Sequence, residues 1–284
     1  EIEEAYATTQ GVPGGLQFRV GQFLTRFGRI NPTHPHSWDF VDQPFAIGRV
    51  FGAEGSRGLG FEGSILLPLP WYMEVLGSAT MAGREGSARS FFGGQDLGVK
   101  TPLDMQGTVT VKQFWDLSSD VSLMVGVSWA TGPNPTGRDN RTEVLGGDLY
   151  LKIRPITRGG YPWLGLQTEW LYRRRQIPGD ALWDLSSYTQ VVFRFLPRWA
   201  VAARYELGLP ARDLDGETGA DWLDPQWTQN RHRAAVNLTL WPTEFSRVRV
   251  QGQMNIEPWQ AGPIDWTVVA AFEFSVGAHA AHKF

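Results

Sequence analysis

Two sets of side chains in this sequence could do chemistry. One is a group of imidazoles and carboxylates within a single segment, and the other is a series of arginines and lysines at alternating positions along the chain. His34 and His36 stand close to Asp39 and Asp42, and imidazole with carboxylate is a donor set that suits zinc. The competing expectation is structural: Pro35 stiffens the segment, and both rings hydrogen-bond or pack against Trp38. No metal site is assigned, His34 and His36 being the candidate ligands if there is one. Hydrolysis would need a histidine beside a serine or paired acids. His36 and Ser37 are adjacent, but neighbours in extended chain point to opposite sides. His232 has no serine partner in the pattern, and His279 and His282 fall on opposite faces of one run. No Gly-rich phosphate loop occurs between a strand and a helix. The expectation is a protein that is not an enzyme and needs no cofactor.

The basic series is more informative. Its positions follow the period of two that marks a β-strand with two different environments. The last stretch shows this most plainly. Trp266, Val268, Ala270, Phe272, Phe274 and Val276 alternate with Thr267, Val269, Ala271, Glu273, Ser275 and Gly277, and the run continues to Phe284. A strand crossing a bilayer needs about nine to eleven residues, so this run could span one and still project. A terminal aromatic on a final amphipathic strand resembles the insertion signal of bacterial outer-membrane barrels.

Comparable runs are Ile2–Thr9, Leu16–Arg26, Gly60–Leu67, Trp71–Met81, Gly107–Trp115, Val121–Trp129, Glu143–Arg154, Trp163–Arg175, Ser187–Leu196, Trp199–Leu209, Arg231–Trp241, Ser246–Ile256 and Asp265–Phe284. No sustained helical period interrupts them. Short turns carry Pro with Trp or Tyr, as in Pro70-Trp71-Tyr72, Tyr161-Pro162-Trp163, Pro197-Arg198-Trp199 and Trp241-Pro242. The intervening connections are longer and polar: Phe27–Arg57, Gly83–Asp104, Gly132–Thr142, Pro178–Asp184, Ala211–Asn230 and Pro258–Ile264. Short turns on one side, long loops on the other and an aromatic girdle form the outer-membrane pattern. The reading is all-β, one transmembrane antiparallel barrel over residues 1–284. It has 12–14 strands, with 14 favoured for the complete chain, because the pattern is already under way near Glu1. The absence of an initiator Met suggests numbering that begins after removal of an export signal.

Composition agrees. The chain has 284 residues, no Cys, 33 Gly, 13 Trp and a formal charge of −3. Mean hydropathy is −0.25, which a barrel produces because lumen-facing polar residues alternate with lipid-facing apolar ones. No run is long and apolar enough for a membrane-spanning helix. Near-neutral charge argues against nucleic acid as a partner. Lipid, including lipopolysaccharide, is the expected surrounding, in the outer membrane of a Gram-negative cell, alone or as a homo-oligomer or part of a larger complex.

If the apolar set faces lipid, the lumen receives Arg19, Lys112, Lys152, Arg154, Arg173, Arg175, Arg194, Arg204, Arg233, Arg247, Arg249 and Lys283. It also receives Glu62, Glu74, Asp148, Glu169, Glu206 and Glu273. That bias toward positive charge is the usual device of anion-selective pores. The expected function is therefore passive diffusion of small, preferentially anionic solutes. The bland alternative is that these groups pair, for example Lys152 with Asp148 or Arg175 with Glu169, and fill a narrow, non-conducting structural barrel. Gln22, Gln113, Thr168 and Arg174 are polar exceptions on the lipid side. The segment Phe27–Arg57 is too apolar for an ordinary loop, with Phe40, Val41, Phe45, Val50 and Phe51. It is expected to fold inward as a constriction carrying Arg29, His34, His36, Trp38, Asp39, Asp42 and Arg49.

From Gly21-Gln22-Phe23 through Phe27-Gly28-Arg29-Ile30-Asn31-Pro32 to His34-Pro35-His36-Ser37-Trp38-Asp39-Phe40-Val41-Asp42-Gln43-Pro44, the sequence resembles the phosphate-selective porin O and P superfamily. It resembles still more closely uncharacterised outer-membrane proteins of deltaproteobacterial type. The resemblance covers about Leu16 to Leu67 and implies a porin-like barrel. Classical members are longer, form sixteen-stranded trimers and use a lysine cluster in this loop. Here the loop has Arg29, Arg49 and Arg57 and no Lys, so phosphate specificity does not transfer.

Overall fold

The computed structural model describes residues 3–82, 87–92, 99–156, 159–219 and 221–274. Among these residues thirteen strands form one sheet in chain order, each antiparallel to the next. They are β1 (Ala5–Thr8), β2 (Leu16–Leu24), β3 (Arg57–Leu66), β4 (Tyr72–Thr80), β5 (Gln106–Asp116), β6 (Val121–Asn134) and β7 (Gly137–Ile153). These continue with β8 (Trp163–Ile177), β9 (Asp180–Leu196), β10 (Trp199–Gly208), β11 (Arg231–Thr243), β12 (Ser246–Ile256) and β13 (Ile264–Phe274). The part of the last run from residue 275 to 284, with Lys283, His279 and His282, lies outside the described residues.

The period of two fixes the faces as expected. Val20, Phe61, Val127, Val236 and Val268 are exposed on one side, while Thr110, Arg173, Ser186, Glu206 and Gln251 are buried on the other. The outward polar exceptions satisfy themselves locally. Thr168 Oγ1 lies 2.9 Å from Thr189 Oγ1 and donates to Tyr188 O at 3.0 Å, and Arg174 pairs with Glu143 directly across the ladder at 3.0 Å.

Two expected long connections are strand instead. Gly132–Thr142 and Pro178–Asp184 lie almost wholly within the ends of β6–β7 and β8–β9, and only tight turns join these strands. Polar residues stand on both strand faces there, Thr142 and Asp184 buried and Arg141 and Gln176 partly exposed, so the apolar alternation that reveals a strand fades. Cross-strand polar bonds replace it, such as Asn134 Nδ2 to Gln176 O at 2.9 Å.

The inner face is covered by the segment from Thr25 to Ser56. It contains one helix, α1 (Phe45–Phe51), which starts after Pro44 and ends at Gly52. Seven residues make a marginal helix in water. This one is buried on nearly every side: Ala46, Ile47, Val50 and Phe51 join Phe27, Ile30, Phe91, Val144, Leu171 and Tyr188 in one cluster. A second cluster gathers Phe40, Val192, Ala200, Ala202 and Ala235, with Trp163 and Trp241 packed against it.

Candidate functional site: the barrel interior

The loop is pinned to strands far apart in sequence. Its first anchor is a carboxylate held by backbone. Glu169 on β8 accepts from Arg29 N at 3.1 Å and Ile30 N at 2.9 Å, and Tyr188 OH also donates to it. Gly28 N donates to Ser128 Oγ at 2.9 Å. Gly28 has φ +60°, and a Cβ there would stand 2.2 Å from Glu169 Oε2, so both backbone sign and space require glycine. A second anchor is ionic. Asp42 meets Arg204 at 2.7 Å and Arg233 at 3.0 Å, and both arginines meet Glu206 at 2.8 Å. Burial alone would raise the Asp42 carboxyl, but Arg204 and Arg233, with a hydrogen bond from Gln251, hold it below its ordinary range. Glu206 also accepts from Phe45 N, which opens α1, at 2.5 Å.

At the long-loop end of the interior, charges pair. Arg173 is fully buried and meets Asp184 at 2.7 Å; Arg175 meets Asp221 at 2.5 Å. Arg49 donates to Leu209 O at 2.6 Å and lies 3.4 Å from Asp224, with its guanidinium 3.8 Å over the Trp227 ring. Arg89 reaches Asp224 at 2.9 Å. Asp221 and Asp224 come from the connection after β10. Burial would raise the Asp221 carboxyl, but the Arg175 hydrogen bond and charge, then Arg173, bring it down to about 2.

At the short-turn end, cations are held differently. Arg29 stacks 3.7 Å over Tyr150 and donates to Gln167 Oε1 at 3.3 Å. Lys152 lies over Trp163 at 5.4 Å. Arg194 lies over Trp241 at 4.1 Å and Tyr161 at 5.4 Å, and donates to Pro197 O. Arg249 donates to Trp38 O at 2.8 Å; Arg247 donates to His36 O at 2.8 Å and pairs with Glu273. Asp39, which accepts from Gln190 Nε2 at 3.2 Å, feels Arg249, Arg29, Arg247 and Lys152 together.

This arrangement redistributes the sequence-derived residues. Arg19 faces Glu62 at 3.8 Å and lies 4.4 Å from the Tyr6 ring centroid. Lys112 faces Asp148 across Gly126 in the ladder. The suggested partners are not the ones used: Arg175 pairs with Asp221, and Glu169 is taken by loop N–H groups. The histidine–aspartate group disperses. His34 Nε2 and Nδ1 face Glu4 and Glu3 at 2.8 and 3.2 Å, His36 stacks on His34, and Asp39 and Asp42 are committed elsewhere. Trp38 Nε1 donates to Thr33 O at 3.0 Å. Among the described residues no cluster of three or more His, Asp or Glu could hold a metal ion.

The aromatic girdle needs correction too. Trp163 and Trp241 turn inward, on the same strand faces as Glu169 and Asn237, and steady lumen cations instead of meeting lipid. Their parity with those polar residues was the available signal. Asp221 and Asp224 gave none, because a loop acid has no face in the sequence.

No protein-family model matches the chain. It is 30% identical, over 314 aligned positions, to an uncharacterised protein of Aquifex aeolicus (strain VF5). The match takes in all of this chain but 63% of that protein, so the chain spans less than two thirds of its relative. Among solved structures it is similar to the outer-membrane channel DcaP of Acinetobacter baumannii, with TM-score 0.61, 13% identity and coverage of 97% of this chain and 75% of that one. It is also similar to outer-membrane expressed OmpT of Vibrio cholerae, with TM-score 0.56, 8% identity and coverage of 90% and 70%. Identities this low carry the fold alone, and that fold, with its apolar exterior and polar interior, is the Gram-negative outer-membrane β-barrel.

Proposed function

We propose that the protein is a narrow outer-membrane channel through which small solutes, preferentially anions, diffuse passively, with no cofactor and no covalent step. The observation that carries this reading is the short-turn half of the interior. Arg29, Lys152, Arg154, Arg194, Arg247 and Arg249 are gathered there against Asp39 and Glu273. Backbone carbonyls and aromatic faces hold several of these cations in place without cancelling their charge. Among the described residues Arg194 Nε and Arg249 Nη1 have no hydrogen-bond partner. A low-dielectric wall focuses such a field toward the lumen and concentrates anions. The likeness of the Gly21–Pro44 segment to phosphate-selective porins supports an anion. Of the arginines in the loop Phe27–Arg57, Arg49 is committed to Leu209 O and Asp224, while Arg29 faces the short-turn cavity.

The test is single-channel conductance in a planar bilayer, with reversal potential under a KCl gradient. Discrete steps with chloride preferred are expected, and charge reversal at Arg247 and Arg249 should weaken that preference. A folded, heat-modifiable barrel that gives no steps would overturn the channel reading. One observation favours a second reading, a non-conducting structural barrel: the loop is fastened to strands from β6 to β12 by buried and part-buried hydrogen bonds. On that reading, conductance would appear only when these anchors are cut.

A further inference from the structure

The short-turn end contains a cavity of about 390 Å³, lined on one side by Arg29, Lys152 and Arg154 and on another by Phe114, Met124 and Ile156. Its rim is formed by exposed turn residues such as Ser119 and Gly159. The volume lies within the range of about 300–1,000 Å³ usual for small-molecule sites, which combine an apolar wall with a few fixed polar groups. We propose that this cavity is a binding site for an organic anion with an apolar body, of the class of a benzoate-sized carboxylate. The inference rests on the channel reading for its place in transport, and names the solute class that reading leaves open.

The geometry separates this ligand from a simple inorganic anion. Arg29 Cζ lies over the Tyr150 ring, 3.7 Å from its centroid, and its Nη1 lies 3.5 Å from Met124 Sδ. The guanidinium is thereby held at the boundary between the charged and the apolar wall. A planar guanidinium held in this way matches a carboxylate in two-point contact. Arg154 is kept at the rim by its backbone, whose N–H donates to Asp120 O at 2.7 Å. Its side chain passes over Gly160, where φ is +78° and a Cβ would come within 2.6 Å of Nε. Glycine therefore makes room for that guanidinium. The carboxylate of Asp120 is turned to its own turn, accepting from Ile156 N at 3.0 Å. Phosphate would use the cations and waste the apolar wall. A neutral aromatic would use the wall and gain no charge-assisted hydrogen bond from the cations.

The whole chain in detergent micelles, titrated with 4-fluorobenzoate and followed by fluorine NMR against empty micelles, tests the site. Saturable binding is expected, with unlabelled benzoate displacing the probe at least about tenfold more effectively than inorganic phosphate or benzyl alcohol. Arg154→Gln should weaken binding about tenfold in a barrel that still shifts on heating. If that variant does not fold, the competition series on the unaltered chain decides. Equal displacement by phosphate would reduce the site to a general anion patch. Equal displacement by benzyl alcohol would reduce it to an apolar crevice, and absence of saturation would remove it; each outcome overturns the proposal. Conductance on the same preparation separates the two readings. Binding without channel steps keeps the site and removes the channel, whereas anion-selective steps without saturable binding do the reverse.

Discussion

The two ends of the barrel interior hold arginine in opposite ways. At the long-loop end Arg173 and Arg175 are buried against Asp184 and Asp221 and Arg49 against Asp224, which the half-buried Arg89 also meets. At the short-turn end Arg29, Arg194 and Arg249 lie on Tyr150, on Trp241 and against Trp38 O. A buried cation without a counter-charge is strongly unfavourable, so the occluded end must recruit acids, and it takes Asp184 from β9 and Asp221 and Asp224 from the connection after β10. The other end faces the short-turn cavity and the lumen, where neutral partners hold Arg29 and Arg194 and a carboxylate, Glu273, pairs with Arg247 and lies 3.9 Å from Arg249. The first arrangement ties a loop down; the second leaves a field.

The contrast breaks most visibly at its most buried member. Arg173→Ala would take from Asp184 its nearest partner, leaving Arg49 and Arg175 at 3.6 and 3.7 Å, and open the contacts to Arg49 O and Ser90 Oγ, at 3.1 and 2.8 Å. Removing one partner of a buried pair costs about 3–5 kcal/mol. The expected outcome is a large fall in the denaturant midpoint of the micelle-bound barrel, read by tryptophan fluorescence. Next comes Gly28→Ala. A non-glycine residue at positive φ costs about 1–3 kcal/mol, and the added Cβ collides with Glu169 Oε2. The barrel should still assemble, but with the loop released at its first anchor and conductance raised at least about twofold. Unchanged conductance would mean that this anchor does not set the constriction.

Acid should loosen the paired end at Asp221. Its carboxyl is held at about 2, against 3.8 ordinarily. A depressed folded value means that the contribution is complete above about pH 4, falls as pH drops and is gone below about pH 2; the shift corresponds to about 2 kcal/mol. Hydrogen exchange in the connection after β10 should therefore accelerate across that window. Asp221→Asn should exchange faster at neutral pH and converge with the unaltered chain near pH 2. Parallel profiles at all pH values would remove Asp221 as the anchor.

Strand faces were legible because two environments impose a period of two, and Arg173, Arg204 and Gln251 fall inward as that period requires. Phe40, Val50 and Phe51 are too apolar to sit in water, and all three are buried. Partner choice was not legible. Asp221 and Asp224 lie in irregular chain, where no period reports direction, and Glu169 meets backbone N–H groups, which have no side-chain signature. The hairpin ends of β6–β9 were illegible for a third reason: polar residues occupy both strand faces there, buried Thr142 and Asp184 as well as the more exposed Arg141 and Gln176, so apolar alternation carries no signal.

The comparison is sharpest where the same substitution is made at the lightly held end. Arg194 rests on Trp241 and Tyr161 and donates to Pro197 O, and it is only partly buried. A cation–π contact in such a setting contributes about 0.5–1 kcal/mol, and no carboxylate is stranded when it goes. Arg194→Ala should leave the denaturant midpoint nearly in place and move the reversal potential toward zero. Arg173→Ala should do the opposite, losing stability while any folded fraction keeps its selectivity. If Arg194→Ala destabilised the barrel as much as Arg173→Ala, aromatic faces would be carrying the work of counter-ions, and the division of the interior into an anchoring end and a field-bearing end would fail.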